Sequence, residues 1–334
     1  MSNTKQIFIV GSSRSGTTMM GRILGNHNQI FTFKELHFFG TIWSGEKLDE
    51  ISRENQVQAL ARLLCIQENG LFNQNKIGDF KKKAAIILQK ENLNKIEIYE
   101  LFLRTITQEN QSLIACEQTP KNIYYLEEIL SHFPDAKVIN MVRDQRDVLL
   151  SQKNKWKRKF LGAPGIPIFE AIRSFLNYHP LLTSRIWTSS LKHTMKYQNN
   201  SRVKIVKFEE MLLNAEATIK DICKFLNIEF HKEMLLVPVI GSSTEQDTSK
   251  ELTIDKSKVN KWKNGGVSEA EIYLSQKVSA KMLIEFGYPI KSFSFPPLLT
   301  LYYILIFPIK FILAFLFNLH RVSNIMRVIK RRFF

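Results

Sequence analysis

Ile7-Phe-Ile-Val10 is a run of four apolar residues closed by Gly11, and behind it Met19, Met20, Ile23 and Leu24 fall on one helical stripe. The pattern predicts a buried strand, a loop and a helix. Short apolar runs at 113–116, 138–142 and 203–206 each lead into another segment compatible with a helix. Strands alternating with helices predict an α/β fold, a largely parallel central sheet covered by helices on both faces. From Leu48 to about Thr107 the spacing is helical, interrupted near Gly70 and Gly78, and reads as a helical insertion in which Lys81-Lys82-Lys83 forms a solvated face. Residues 169–197 read as one or two helices broken near Pro180, and 215–226 as another with Ile219, Ile222, Cys223 and Leu226 on its buried stripe. Residues 241–258 are polar and irregular and read as a mobile loop. No internal repeat is evident.

One late segment breaks this pattern. Eighteen of the 22 residues from 298 to 319 are apolar, enough to cross a bilayer at about 20 residues per span. The 39 residues from 296 onward carry six Lys or Arg and no Asp or Glu, whereas residues 1–295 hold 41 basic and 31 acidic groups. We therefore divide the chain into a domain at 1–295 and a basic apolar tail at 296–334. A crossing from a cytosolic domain would send Arg321, Arg327, Lys330, Arg331 and Arg332 to the far side, against the positive-inside rule. A re-entrant or interfacial anchor on an anionic membrane surface is the expectation, with a buried helix or a dimer interface as the alternative.

The whole chain of 334 residues carries 47 Lys+Arg against 31 Asp+Glu, a formal charge of +16, with 44% hydrophobic residues. Those values exclude a disordered or collagen-like chain and favour anionic partners. Nucleic acid is disfavoured, because the basic excess gathers in an apolar tail without an interleaved basic and aromatic surface. Cys65, Cys116 and Cys223 are far apart and odd in number, which points to a reducing compartment, and the first residues lack the apolar stretch of an export signal. For a bacterial source the expected place is the cytoplasmic side of a membrane.

Gly11-Ser-Ser-Arg-Ser-Gly-Thr-Thr18 lies between the first strand and the first helix, where backbone N–H groups can cradle a phosphate-like anion. The fold expected is therefore P-loop-like. Thr17 stands where an ATP-binding loop would carry lysine, which disfavours an ordinary kinase or NTPase. The cation is Arg14, whose guanidinium can fork onto two anionic oxygens. An Arg-Ser-Gly-Thr-Thr loop resembles that of sulfotransferases using 3′-phosphoadenylyl sulfate (PAPS), particularly the tyrosylprotein and carbohydrate branch.

The resemblance implies that Ser13, Arg14, Ser15, Gly16, Thr17 and Thr18 hold the 5′-phosphosulfate. The segment Val138-Ile-Asn-Met-Val-Arg-Asp-Gln-Arg-Asp-Val-Leu-Leu-Ser151 is similar to the family's 3′-phosphate segment, implying contacts from Arg143 and Ser151. Phe208 stands where relatives commonly have tyrosine, and Lys261-Trp-Lys-Asn-Gly-Gly266 resembles a basic loop that closes over the nucleotide in relatives. The likeness covers about residues 5–287, and no metal is implied.

Sulfuryl transfer needs a base for the acceptor proton and positive charge for the leaving group. Glu35, in Phe33-Lys-Glu-Leu-His-Phe, is the expected base, at the distance from the loop arginine where relatives place a glutamate; partial burial would raise its pKa. His37 is the competing base, and His27 is expected to be structural. Relatives often read Glu-Lys-Thr-Pro where this chain reads Glu117-Gln118-Thr119-Pro120-Lys121. Gln118 is placed in the catalytic set as an uncharged donor, with Arg14 or Lys121 left to supply the missing charge. The resulting expectation is an enzyme moving a sulfuryl group from PAPS, with 3′-phosphoadenosine 5′-phosphate (PAP) as product, to a hydroxyl of a saccharide or lipid-linked acceptor at a membrane surface. The alternatives are a non-catalytic nucleotide- or lipid-binding relative and a P-loop kinase.

Overall fold

The computed structural model describes residues 5–45, 48–89, 92–163, 165–239, 248–319, 327 and 329–331. The chain begins with β1 (Lys5–Gly11), α1 (Thr17–Gly25) and β2 (Ile30–Thr32), then runs through α2 (Arg53–Asn69), α3 (Lys81–Leu88) and α4 (Lys95–Glu109). Next come β3 (Ile114–Glu117), α5 (Leu126–His132), β4 (Lys137–Val142), α6 (Gln145–Lys153), α7 (Ile168–Leu176) and α8 (Pro180–Lys196). The last part holds β5 (Val203–Lys207), α9 (Phe208–Leu213), α10 (Ala215–Leu226), β6 (Pro238–Val239), β7 (Thr248–Leu252), α11 (Glu269–Glu285) and α12 (Leu299–Leu316).

Five strands form one parallel sheet in the order β2-β3-β1-β4-β5. The apolar run that predicted β1 is its centre, with Ile7 in register with Cys116 on one side and Lys137 on the other. Period-two alternation then divides the strand between two cores. Phe8 and Val10 pack with side chains of α2, α4 and α5, whereas Ile7 and Ile9 pack with α1, α9 and α10. The expected insertion thus covers one face of the sheet, while Lys81, Lys82 and Lys83 are exposed as expected.

Two details depart from the sequence expectation. The edge strand β2 has only three residues, too few for a hydrophobic run to announce it. Part of the segment expected as a mobile loop, 248–252, is a strand paired antiparallel with β6, while residues 241–247 of that loop lie outside the described residues. Elsewhere the helix break falls at Pro180, and the α10 stripe is buried as expected.

Because the five strands are parallel, their carboxyl ends gather on one edge: Gly11, Glu117 and Val142 each open into a loop there, and Lys207 runs directly into α9. The chain leaves β1 toward β2 and β3, then crosses to β4 on the other side. Ligands of open α/β sheets bind at such a reversal. The three cysteines are buried and unpaired.

Candidate active site

A cavity of about 470 Å³ opens at those carboxyl ends. Its floor is the loop after β1. Gly11 has φ +144°, and a Cβ there would lie 2.2 Å from the Met141 carbonyl oxygen of β4; Gly16 has φ +93°, and its Cβ would lie 2.3 Å from the Phe208 ring. Only glycine fits either position. Gly16 precedes α1 without a side-chain cap, so N–H groups of the first turn remain available, and the buried Ser15 Oγ has no hydrogen-bond partner. The open N–H groups of a helix's first turn are what an anionic group would satisfy, whereas Ser15, expected among the loop donors, is fully buried and does not line the cavity.

Arg14, at φ +74°, reaches across the cavity, where its Nε donates to Ser151 Oγ at 2.8 Å. Ser151 lies in α6, so the two segments that suggested nucleotide binding meet in one hydrogen bond. Arg143, just beyond β4, donates to the Arg14 carbonyl oxygen at 3.3 Å and to that of Lys258 at 2.9 Å. Its guanidinium sits 4.2 Å over the Phe208 ring and 3.8 Å from Asp147, and its buried Nε is unpartnered. Burial pushes Arg143 below its ordinary pKa and lifts Asp147 to about 6. Asp147 also accepts from the Trp262 amide at 2.9 Å, which seats the segment carrying Lys261 at the cavity rim. Ser13, Arg14, Gly16, Thr17, Thr18, Arg143, Ser151, Phe208 and Lys261 all line the cavity.

Glu35 also lines the cavity, and His37 Nε2 is 3.3 Å from its carboxylate. Burial pushes the Glu35 carboxyl up, but the His37 hydrogen bond and the charges of Lys155 and Arg14 outweigh it and hold the group below the ordinary range. This corrects the expectation of a raised pKa. Burial also holds His37 below its ordinary value, only partly offset by Glu35. Near neutral pH an ionised Glu35 therefore accepts from a neutral His37. The two are partners rather than competing bases.

The loop bearing this pair is held from β3. Glu117 is buried and accepts from the Leu36 amide (3.3 Å), the Thr119 amide (3.1 Å) and hydroxyl, and Asn122 Nδ2 (2.6 Å). Thr119 Oγ1 in turn accepts from the His37 amide at 3.1 Å, fixing a residue at φ +51°.

The geometry corrects the assignment of Gln118. Its Nε2 donates to the Phe33 carbonyl oxygen at 2.9 Å, and its Oε1 faces Gly21, where a Cβ would come within 2.5 Å. The side chain is packed behind the loop and does not line the cavity. Lys121, one of the two alternatives for the missing charge, and Lys155 both stand on the cavity wall. Burial, then the charges of Arg14 and Arg173, push the Lys155 ammonium down to about 8 despite the opposing charge of Glu35. Sequence reading passed over Lys155; its only signal was the basic run Lys155-Trp-Lys-Arg-Lys159 one turn beyond Ser151. His27 is buried beside His231, away from the cavity lining, as a structural residue. Among the described residues no cluster of His, Cys, Asp or Glu could hold a metal ion.

A sequence profile described as "Sulfotransferase family" matches residues 6–232, which include the loop, Glu35, Arg143, Ser151 and Phe208. The chain belongs to the sulfotransferase family. Its fold is also that of the sulfotransferase domain from the curacin biosynthetic pathway, with TM-score 0.52, 21% identity, and coverage of 85% of this chain and 98% of that one. The sulfotransferase domain of the Synechococcus PCC 7002 olefin synthase gives 0.50 at 20% identity, covering 86% and 96%. An uncharacterized protein of Aquifex aeolicus is 28% identical over 149 residues, 44% of this sulfotransferase; the aligned part spans 16% of the Aquifex chain. The family match ends before Lys261, so the role of that lysine rests on its place at the cavity rim alone.

Proposed function

We propose that this sulfotransferase binds PAPS and transfers its sulfuryl group to a hydroxyl of a saccharide or lipid-linked acceptor at a membrane surface. The observation that carries the reading is the clasp of Arg14 and Arg143 about one loop. Arg14 meets Ser151, Arg143 meets the Arg14 carbonyl, and Arg143 keeps an unpartnered Nε–H. Two cations within one loop–helix cradle suit a ligand with two separate anionic groups. Thr17 in place of the P-loop lysine counts against a kinase.

When bound, PAPS would supply an activated sulfuryl group, with Ser13 to Thr18 on its 5′ end and Arg143 and Ser151 on its 3′-phosphate. Glu35, ionised and hydrogen-bonded by His37, would accept the acceptor hydroxyl proton. Arg14, Lys121 and Lys155 offset the negative charge on the leaving side. Lys261 would close the rim over the nucleotide. The tail, whose exposed apolar helix is described below, supports placement at a membrane.

The test is transfer of labelled sulfate from PAPS into a fractionated extract of lipids and polysaccharides. Label in a lipid-linked or saccharide fraction, lost in Glu35→Gln, is the expected result. Label confined to small soluble phenols or to protein would overturn the acceptor class.

A further inference from the structure

We propose that the outward faces of α7 and α12 together form the surface on which this protein seats on an anionic lipid bilayer, with the cavity mouth beside it. The inference rests on the sulfotransferase reading of the cavity and adds a second helix, α7, to the apolar tail.

α12 has a mean hydropathy of 2.1 over 18 residues, yet only 11% of it is buried. Leu301, Leu305, Ile309 and Ile312 are 57–66% exposed. α7 is amphipathic: Ile168, Ile172 and Phe175, at helical spacing, are each about half exposed, whereas Glu170, Ala171, Arg173 and Ser174 line the cavity. The two apolar faces adjoin. Phe169 stacks on Phe317 at 5.4 Å, Lys310 lies 4.4 Å over the Phe175 ring, and Arg173 donates to Asn318 Oδ1 at 2.8 Å. Soluble monomers rarely leave so many adjoining large apolar side chains in water.

Charge decides what covers this face. Lys157 is exposed and Lys310 lies over Phe175 on this side, whereas Lys155, Arg158 and Arg173 turn to the cavity; the one acid of residues 155–177, Glu170, is paired with Arg173 at 2.7 Å, and residues 296–334 hold no acid. A second copy of the chain would set that positive charge against itself, whereas an anionic headgroup layer complements it. Arg327 and Arg331 contribute less than the sequence suggested. Arg327 donates to the Ser44 carbonyl oxygen at 3.3 Å, and Arg331 pairs with Glu128 and donates to the Tyr124 carbonyl oxygen, while Arg321 and Arg332 lie outside the described residues. The basic run before α7, with Lys157 exposed beside Phe160, takes their place. Since one side of α7 walls the cavity and the other meets lipid, an acceptor could keep an apolar chain in the bilayer while its hydroxyl reaches Glu35.

The experiment is flotation of the full-length protein on phosphatidylcholine vesicles with and without phosphatidylglycerol, with light scattering in parallel and PAP-induced thermal stabilisation as a check on the nucleotide site. Full-length protein should float, more so with phosphatidylglycerol. The pairs Ile168→Glu/Ile172→Glu in α7 and Leu301→Glu/Leu305→Glu in α12 should each lower the bound fraction about tenfold or more, because each places two charges where apolar side chains would leave water. Both pairs should keep the PAP response. An α7 pair that floats like the parent overturns the two-helix surface. A detergent-free dimer that does not float, and that the same substitutions dissociate, shows a self-interface instead. Flotation without any PAP response would leave the docking surface standing and remove the sulfotransferase reading; a PAP response without flotation does the reverse.

Discussion

The side chain of Glu35 is useful as a base only while it is ionised, and its surroundings set that range. Its pKa lies below the ordinary carboxylate value, so the charged form persists through neutral pH and is lost only in acid. The acidic limb of the kcat profile should therefore fall below about pH 4.3, the unperturbed glutamate value. Glu35→Gln should reduce turnover by about 10²–10⁴ while leaving PAP affinity intact; retained activity would move the base to His37. Lys155 sets the other limb. With its ammonium pushed down to about 8, its charge disappears as pH rises through that value, and kcat should decline there. Lys155→Met should lower kcat and abolish this alkaline limb, and a limb that survives would assign it to another group. Little of this was legible in the sequence. Glu35 could be picked out by its distance from Arg14, but its union with His37 depends on a left-handed backbone at His37 held by Thr119, 82 residues away. Lys155 was hidden because a basic run looks like a solvated face until the fold turns one member inward.

At the scale of elements, β3 does more than pair with β1. Its last residue, Glu117, collects four donors, two of them from the Thr119 turn and one from Leu36 between Glu35 and His37. Burial nevertheless wins over these donors and raises its pKa to about 7. A carboxyl with a folded pKa above its unfolded one binds its proton more tightly in the fold. Its stabilising contribution is complete below about pH 4.3 and is lost as pH rises through about 7. Glu117→Ala should flatten that part of the stability profile, which thermal unfolding across pH 4–8 would read. It should also cost about 1–3 kcal/mol for each donor left without a partner. The same variant should depress kcat more than PAP affinity, because the loop it frees carries Glu35 rather than the nucleotide donors. Equal losses in both would mean that the β3 end braces the whole cavity. The long elements were legible because a run of four apolar residues or a full helical stripe announces itself. β2 was not, since three residues give no period, and β7 was not, since a polar strand paired only to a two-residue partner carries no hydrophobic pattern.

Across the whole molecule, the proposed nucleotide site is assembled from parts that touch only in the folded state. The first loop, α6 and the segment at Lys258 to Trp262 are joined by Arg143, Asp147 and Ser151. A ligand that spans them should tie the folded state together, adding RT ln(1 + [L]/Kd), or about 2.7 kcal/mol at a hundredfold excess over Kd. PAP should therefore raise the melting temperature by several degrees without added Mg²⁺, because Arg14 and the α1 backbone supply the positive field that a kinase takes from a metal. ADP offers the 5′ end but no 3′-phosphate, so its shift should be smaller. The difference should vanish in Arg143→Ala, whose buried guanidinium is the group left with an unpartnered N–H beside the cavity. Equal shifts from PAP and ADP in the parent protein would show that the 3′-phosphate is not read. A shift that needs Mg²⁺ would return the loop to the metal-dependent nucleotide binders from which Thr17 separates it. Arg143→Ala also removes the bond to the Lys258 carbonyl oxygen, so a lower melting temperature without ligand is expected; the diagnostic quantity is the PAP-minus-ADP difference, which that loss of stability leaves unchanged unless Arg143 reads the phosphate.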